Sequence, residues 1–230
     1  GLGDVYKRQI KDKIKLFLVR SEFEKYFVSK VFGISSRKCI IVPLSHSPNL
    51  PNLIDSRRDD FCLHISLLCD SRKNVKRLID ASQQYNFRLV LCGLLRNDDE
   101  AKLLESWLEG KNNVEYKGFV SKEEMYALYS RARVFALPST YEGVGIVALD
   151  AAAMGCDIVI TKLGGPKEYY KGQAIEVDPY DMDSIGKAVK SFMDGKTYQP
   201  ALGQFIRTTY SASSISTLLD DAIQYVVDEN

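Results

Sequence analysis

The sequence has little histidine, no excess of charge and no long apolar run. Only two histidines, His46 and His64, occur in 230 residues, which leaves little material for a metal site or a histidine-based triad. The 31 Lys and Arg residues are balanced by 30 Asp and Glu, so the charge gives no reason to expect nucleic acid as a partner. No stretch approaches the roughly 20 apolar residues of a membrane-spanning helix. The sequence therefore predicts no transmembrane helix and does not favour a nucleic-acid-binding protein.

Cysteines are few, odd in number and without the Cys-x-x-Cys spacing of zinc sites. Most lie inside apolar runs, which predicts reduced core thiols and a cytosolic protein: Cys39, Cys62, Cys69, Cys92 and Cys156. The apolar fraction of 45% and the charged fraction of 27% are typical of a globular chain that buries a core. With 230 residues, the chain exceeds one average domain and falls short of two.

The first nine residues, Gly1 to Gln9, are left out of the fold prediction. They lack an initiator methionine, and Asp4 to Gln9 can be encoded as GAT GTG TAT AAG AGA CAG. That codon string resembles the mosaic end of the transposon used to prepare sequencing libraries. We interpret residues 1–9 as a non-native scar, which implies a longer protein of which this chain is the C-terminal part. The alternative is a natural polar N-terminus, and resequencing the locus would distinguish the two.

Short apolar runs alternate with amphipathic segments along the rest of the chain. Strand-like runs at 14–19 and 38–43 flank a helix capped by Ser21, with Glu24 completing a capping box, and a proline-containing linker follows at 44–58. Beyond the linker, strands are predicted at 61–68, 88–92, 114–116, 134–137, 157–160 and 174–177, and helices at 74–84, 98–109, 121–131, 145–154, 183–194 and 214–227.

These strands are short, β-branched and not alternating, as expected of strands buried on both faces. Their regular alternation with helices predicts an α/β fold with a doubly wound parallel sheet. We assign residues 10–58 to the end of one Rossmann-like domain and its linker, and residues 59–230 to a second such domain with a C-terminal helix. Ligands of such sheets bind beyond the carboxyl ends of the strands, so the site is expected in the loops there.

The loop after the strand at 134–137 carries the clearest signature of a site. Gly143, Val144 and Gly145 form a turn that opens an alanine-rich helix, and the amides of such a turn and helix start bind anions. Glu142 precedes the turn, and Asp150 lies roughly 6–7 Å further along the helix, at about 1.5 Å per residue. A diphosphate on the amides would place a ribose near Asp150 and its other substituent near Glu142. The alternative is a solvated loop glutamate and a helix surface charge.

The run from Leu137 to Asp150 resembles the Glu-x7-Glu signature of group 1 (family 4) retaining glycosyltransferases, which have the two-domain GT-B fold. Other pieces of the family pattern follow in the expected order over residues 14–225. They are the basic turn at 72–75, the strand at 89–93, the nucleobase loop at 116–121, the Gly-Gly-x-x-Glu segment at 164–168, and the end of the acceptor domain at 14–43.

The resemblance implies a role for each matching residue. Glu142 would contact hydroxyls of the donor sugar, and the amides of residues 143–145 would hold the diphosphate. Asp150 would bind the ribose. Lys73 and Arg72 would neutralise the β-phosphate as it leaves, which is electrostatic catalysis by fixed charges. The family mechanism requires neither a protein nucleophile nor a metal, so none is assigned.

The resemblance also implies which residues contact the nucleobase, and the sequence departs from the family pattern at two positions. Backbone atoms near Phe119 and Val120 would contact the base, and no side-chain pattern there distinguishes uracil from guanine. Asp150 is one methylene shorter than the usual glutamate. Leu68 occupies the position at which many members carry an arginine, five residues before the lysine.

The implied function is transfer of a hexose, with retention, from a UDP- or GDP-sugar to a glycan or lipid-linked acceptor. The family suggests bacterial surface polysaccharide assembly, in the cytoplasm or at the inner face of the membrane, with membrane contact through the absent N-terminal part. By itself, this piece is expected to bind a nucleoside diphosphate weakly and turn over almost nothing. Two alternatives stay open: a UDP-sugar 2-epimerase of the same fold, and a non-catalytic nucleotide-binding module, which the departures at Leu68 and Asp150 favour.

Overall fold

The computed structural model describes residues 13–51 and 57–228, so the segment interpreted as a scar lies outside the described residues. The first described part is a β-α-β unit that precedes the linker. It comprises β1 (Phe17–Val19), α1 (Glu22–Phe32) and β2 (Cys39–Ile41), and the two strands pair in parallel. This agrees with the strands and helix that the sequence predicts there.

The part after the linker is built on one six-stranded sheet. Its strands are β3 (Asp59–Ile65), β4 (Leu89–Cys92), β5 (Val114–Tyr116), β6 (Ala132–Leu137), β7 (Asp157–Thr161) and β8 (Ile175–Val177). The helices are α2 (Val75–Gln84), α3 (Asp98–Leu108), α4 (Lys122–Arg131), α5 (Ile146–Ala153), α6 (Met182–Met193), α7 (Ala201–Thr209) and α8 (Ala212–Asp228). Every neighbouring pair of strands is parallel. The predicted α/β class with a doubly wound parallel sheet is confirmed.

The order of the strands places a switch point between β3 and β6. Across the sheet the order is β5-β4-β3-β6-β7-β8. The chain adds β4 and β5 on one side of β3, then crosses to the other side of β3, where it adds β6, β7 and β8. At such a point the loops after the two central strands diverge and leave a crevice at their carboxyl ends. The topology therefore brings the loop after β3 next to the loop after β6.

Side chains of the central strands are buried on both faces of the sheet. In β6, Phe135 and Leu137 pack into a cluster with α4, α5 and α7, whereas Val134 and Ala136 pack into a second cluster with α2, α3 and α6. Because neither face meets water, both sets of positions are apolar and the period of two disappears from the sequence. The expectation drawn from the non-alternating strands is confirmed.

One helix of the sheet part, α7, is not predicted from the sequence. It has nine residues, and the apolar side chains that it buries are those of Leu202 and Ile206. Its position is set by tertiary contacts, since it packs on α5, and Nε of Arg207 donates a hydrogen bond to the carbonyl of Ala153 at 2.7 Å. Most of the stability of so short a helix comes from packing, which a local pattern does not reveal.

The starts of α1 and α4 differ in how far a capping box forms. At α4, Ser121 and Glu124 form the complete reciprocal pair. At α1, the hydroxyl of Ser21 accepts the N–H of Glu24 at 3.1 Å, but the Glu24 carboxylate bonds Arg20 instead of returning to the N–H of Ser21. The prediction at Ser21 is thus half right, because Arg20 offers the Glu24 carboxylate its charged guanidinium in addition to its own backbone N–H.

Candidate functional site

Hydrogen bonds tie the loop after β3 to the loop after β6. The N–H of Thr140 donates to the carbonyl of Arg72 at 2.8 Å, and Nδ2 of Asn74 donates to the carbonyl of Pro138 at 2.9 Å. Asn74 has a left-handed backbone with φ of 61°, which asparagine tolerates better than most residues. These contacts hold Lys73, which lies between Arg72 and Asn74, against the second loop.

Lys73 and Glu142 form an ion pair at the switch point. Nζ of Lys73 lies 2.6 Å from Oε2 of Glu142, and the two side chains are 22% and 15% exposed. The hydroxyl of Ser139 approaches the same oxygen at 3.4 Å, while the N–H of Gly143 donates to Oε1 at 3.2 Å. The sequence places both charged residues in the site, but their direct contact follows from the adjacency of β3 and β6.

Helix α5 begins beside this pair without a side-chain cap. Its N-cap is Gly145, whose φ of 74° is left-handed, and a Cβ there would lie 2.9 Å from Cδ2 of Leu137. Val144 is buried, whereas Ile146 is exposed. Since the first N–H groups of a helix lack intrahelical partners and carry a partial positive charge, this helix start is suited to an anion.

The second predicted cation, Arg72, is directed toward a different carboxylate. Its guanidinium is exposed, with Nη2 at 2.6 Å and Nε at 3.1 Å from the oxygens of Asp70. That hydrogen bond lowers the pKa of Asp70 to about 2. Leu68, at the position where the family pattern often has arginine, is fully buried in the core. Of the two predicted cations, Lys73 contacts Glu142 and Arg72 contacts Asp70.

Asp150 lies on α5 and faces the linker. Only 3% of the residue is exposed, and Oδ1 and Oδ2 accept hydrogen bonds from the N–H (2.8 Å) and the hydroxyl (2.6 Å) of Ser47. Burial raises the pKa of Asp150, while the bonds from Ser47 act in the opposite direction. The sequence offers no signal for this contact, because the two residues are 103 positions apart. The alternative of a helix surface charge is wrong, and the ribose contact remains a prediction.

The residues predicted to contact the base lie at a second opening beyond β3 and β4. Phe119, which is 78% exposed, and Val120 line a cavity of about 410 Å³ together with Leu67 and Leu94. Gly93 is required at the end of β4, because a Cβ there would lie 1.8 Å from the carbonyl oxygen of Ser66. The structure thus brings Phe119 and Val120 to the carboxyl edge of the sheet, and their role stays a prediction.

Sequence reasoning missed a contact between the segment at 164–168 and helix α1. The carboxylate of Glu168 accepts the N–H groups of Glu22 at 2.8 Å and Phe23 at 2.9 Å, which are in the first turn of α1. A Cβ on Gly165 would lie 2.5 Å from the hydroxyl oxygen of Ser21, so glycine permits this close approach. Glu168 therefore caps a helix that lies more than a hundred residues earlier, and no local pattern signals it.

The described residues contain reduced cysteines but no group suited to a metal and no membrane-spanning helix. All five cysteines are free thiols, and four of them are buried, as the sequence predicts. Across residues 13–51 and 57–228, no three His, Cys, Asp or Glu side chains are grouped to hold a metal ion. Within those same ranges, no helix combines the length and apolarity needed to cross a membrane.

Comparison with known sequences places this site in a family. The profile "Glycosyl transferases group 1" matches residues 66–209, which include both central loops. O-antigen chain mannosyltransferase B of Escherichia coli is 26% identical over 193 residues, covering 76% of this chain and 50% of the relative. Mannosylfructose-phosphate synthase of Agrobacterium fabrum is 32% identical over 130 residues, covering 53% and 29%. The chain thus spans half or less of the length of these two relatives.

Solved structures share the fold over nearly the whole chain. Sucrose-phosphate synthase from Thermosynechococcus elongatus has a TM-score of 0.81 at 20% identity, covering 96% of this chain and 61% of that one. Anabaena Alr3699/HepE, solved in complex with UDP and glucose, has a TM-score of 0.77 at 17% identity, covering 92% and 63%. At these identities the likeness shows the fold alone, whereas the sequence profile spans more than half of the chain. The chain therefore belongs to the group 1 glycosyltransferases and has their GT-B type of parallel sheet.

Proposed function

We propose that this chain binds the nucleoside diphosphate of a UDP- or GDP-sugar at the carboxyl ends of β3 and β6, for transfer of the hexose to an acceptor. The observation that carries the proposal is the Lys73–Glu142 pair beside the uncapped start of α5. An ammonium group and a helix start attract a diphosphate, whereas a carboxylate accepts hydrogen bonds from sugar hydroxyls. The ammonium of Lys73 thus suits the diphosphate of a nucleotide sugar, and the carboxylate of Glu142 suits its sugar.

The chemistry of the step follows from these charges. The bond between the anomeric carbon of the sugar and the β-phosphate oxygen breaks, the acceptor hydroxyl oxygen forms the new bond to that carbon, and the hydroxyl proton passes to the departing diphosphate. Negative charge grows on the β-phosphate oxygens as the bond breaks, and a fixed cation stabilises it. Lys73 supplies that cation, and the amides of Gly143, Val144 and Gly145 supply further donors. Once Lys73 shares its hydrogen bonds with the phosphate, Glu142 accepts hydrogen bonds from the hydroxyls of the sugar that is transferred. No protein nucleophile and no metal take part in the proposed retaining transfer.

The activities named for two of the similar proteins support the classes of donor and acceptor. One is a mannosyltransferase of an O-antigen chain, and one structure was solved with UDP and glucose, so a hexose nucleotide as donor and a glycan as acceptor agree with both. A lipid-linked acceptor, a location in the cytoplasm or at the inner face of the membrane, and peripheral membrane contact complete the proposal. These last points rest on family analogy.

A non-catalytic nucleotide-binding module is the second candidate. Two observations favour it: Leu68 is buried and supplies no charge, and the guanidinium of Arg72 is bound to Asp70. The epimerase alternative gains no such support, since His64, which would be a natural acid or base, is buried with both ring nitrogens hydrogen-bonded.

Calorimetry with UDP, GDP and their hexose derivatives tests the proposal. The wild-type chain is expected to bind one nucleotide and its sugar derivative. Glu142→Gln is expected to weaken the sugar nucleotide about tenfold relative to the bare nucleotide, because a hydrogen bond to a charged group contributes about 1.5 kcal/mol or more. Glu105→Gln, an exposed position on α3, is the matched control and should change neither affinity.

The possible outcomes separate the candidates. Absence of heat with both nucleotides would contradict the proposal. Binding of the nucleotide with no selective effect of Glu142→Gln would favour the non-catalytic module.

A further inference from the structure

We propose that Glu168 is a positioning residue for the sugar end of the donor site, because it holds the start of α1 against the loop that contains Glu142. The role at the sugar end rests on the proposed function, whereas the contact between Glu168 and α1 does not. Residues 164–169 are called the bridge, since they lie between these two parts of the chain. They follow β7 and end in a single turn of 3₁₀ helix, Pro166–Tyr169.

The carboxylate of Glu168 completes the start of α1. The first N–H groups of a helix have no intrahelical acceptor. Here Oε2 and Oε1 of Glu168 accept the N–H groups of Glu22 and Phe23, at 2.8 and 2.9 Å. The negative charge also opposes the partial positive charge of the helix start. Since Glu168 lies 146 residues after Glu22, the tertiary structure supplies two caps that the local sequence does not.

The two glycines of the bridge pack on the backbone of the loop after β6. A Cβ on Gly164, whose φ of 84° is left-handed, would lie 2.5 Å from the carbonyl oxygen of Glu142. A Cβ on Gly165 would lie 3.2 Å from the carbonyl oxygen of Gly143. Glycine therefore permits a close approach that a larger residue would prevent. The bridge thus contacts the Glu142 loop on one side and α1 on the other.

Tyr169 adds a connection from the bridge to the residue just before α1. Its side chain is buried, and its hydroxyl donates to the carbonyl of Arg20 at 2.9 Å and accepts the N–H of Leu44 at 3.2 Å. Arg20 directly precedes Ser21, the N-cap of α1. The side chains of Glu168 and Tyr169 therefore bind three consecutive parts of the α1 start: the residue before the cap and the first two helical amides.

The start of α1 forms one wall of a cavity beside Glu142. The cavity has a volume of about 180 Å³, and its lining includes side chains from both walls: Arg20, Phe23, Glu24, Tyr141 and Glu142. Glu142 is proposed to accept hydrogen bonds from the hexose, so the cavity adjoins the sugar end of the site. Because the bridge contacts both walls, a change at Glu168 would shift α1 relative to Glu142. It would leave the start of α5, where the diphosphate is proposed to bind, in place.

Hydrogen exchange tests the contact without any nucleotide, and a second helix provides the control. The amides of Glu22 and Phe23 are bonded to Glu168, whereas those of Lys122 and Glu123, at the same two positions of α4, have no acceptor among the described residues. Corrected for intrinsic rates, the α1 amides are expected to exchange about tenfold or more slowly than the α4 amides, and to lose this protection in Glu168→Gln. Equal protection at both helix starts would overturn the proposal.

Calorimetry with UDP, GDP and their hexose derivatives tests the consequence for the sugar. Glu168→Gln removes the charge and turns one acceptor into a donor. It is expected to weaken the hexose nucleotide about threefold to tenfold and to leave the bare nucleotide within about twofold. Glu123→Gln, an exposed carboxylate in the first turn of α4, is the matched control and should change neither. Equal losses with and without the hexose would overturn the proposal.

A variant of α1 separates positioning from direct contact between Glu168 and the ligand. Glu22→Pro removes one N–H that Glu168 binds and leaves Glu168 unchanged. Proline fits this first helical position, and Ser21 before it is extended, with φ of −162° and ψ of 164°. The variant is expected to weaken the hexose nucleotide selectively, and the double variant to lose no more than Glu168→Gln alone. Glu22→Ala keeps the N–H and should have no effect.

The results distinguish this inference from the proposed function. A selective loss in Glu168→Gln with none in Glu22→Pro would mean that Glu168 contacts the sugar itself, and would overturn its assignment as a positioning residue. If the wild type binds neither nucleotide, the proposed function fails and the role at the sugar end fails with it. Hydrogen exchange then still decides whether Glu168 holds α1.

Discussion

Replacing Lys73 with alanine is expected to weaken nucleoside diphosphate binding tenfold to a hundredfold. A hydrogen bond to a charged group contributes about 1.5–3 kcal/mol, and about 1.4 kcal/mol corresponds to a factor of ten. The variant also leaves Glu142 without its partner at 2.6 Å, so an uncompensated carboxylate would face the phosphates. Both effects lower the affinity. Calorimetry measures the nucleotide affinity, and the salt concentration is kept fixed because salt screens both electrostatic effects.

Two further variants make the result specific. Lys76→Ala removes an exposed lysine three residues along, on α2, that pairs with Asp80 at 2.7 Å, and it should leave the affinity unchanged. In Lys73→Ala/Glu142→Gln the carboxylate charge is also gone, so UDP affinity should recover in part. Equal losses from Lys73→Ala and Lys76→Ala would mean that general charge, and not the site, attracts the nucleotide. No loss from Lys73→Ala would place the diphosphate elsewhere.

Acidification from pH 6.5 to pH 4 is expected to cost about 3 kcal/mol of stability through His64 alone. The side chain is fully buried in β3, where Nδ1 lies 2.8 Å from the carbonyl oxygen of Ala136 and Nε2 lies 2.7 Å from the hydroxyl of Ser66. Nδ1 must donate to the carbonyl, and Nε2 then accepts from the hydroxyl, so the neutral ring satisfies both partners. His64 is therefore a core histidine whose hydrogen-bonding groups are all satisfied.

The free energy of unfolding falls on acidification because the pKa of His64 is lower in the folded protein than in the unfolded chain. Burial lowers the pKa of His64 from 6.5 to about 4, and the ammonium of Lys73 acts in the same direction. Between these values the unfolded chain binds a proton that the folded protein excludes, so the free energy of unfolding falls as the pH falls. Below pH 4 both states are protonated and the loss is complete.

Urea unfolding across this range tests the effect. His64→Gln retains a donor and an acceptor but cannot titrate, so the difference in stability between wild type and variant should shrink toward low pH. A constant difference between wild type and His64→Gln from pH 7 to pH 4 would contradict the prediction.

The fold, and the part of the site that contains Glu142 and the glycines after it, can be predicted from local features of the sequence. The strands are predicted within a few residues because their apolar runs are short and bounded by turns, and the helices because their caps and periodicity are local. Glu142 and the glycines after it are found for the same reason: one strand, one turn and one helix start contain them all. Lys73 is found by its resemblance to the family pattern.

The remaining contacts depend on distant partners. Ser47 binds Asp150, and Glu168 caps α1, across more than a hundred residues each. Neither residue lies in a pattern with its partner, so spacing alone cannot reveal the pair. Arg72 shows the opposite case: a partner two residues away, Asp70, takes the guanidinium that the pattern directs to the phosphate.

By itself, the sequence determined that this protein is a parallel α/β sheet with a glycine-containing turn at the start of α5. Burial on both faces, glycine backbone freedom and helix starts are all properties of a few consecutive residues. Only the tertiary structure decided which donor each of these carboxylates meets: Lys73 for Glu142, and Ser47 in the linker for Asp150. The reason is physical, because the adjacency of β3 and β6 and the path of the linker arise from packing the whole sheet. A carboxylate then bonds the strongest donor that this packing brings within reach.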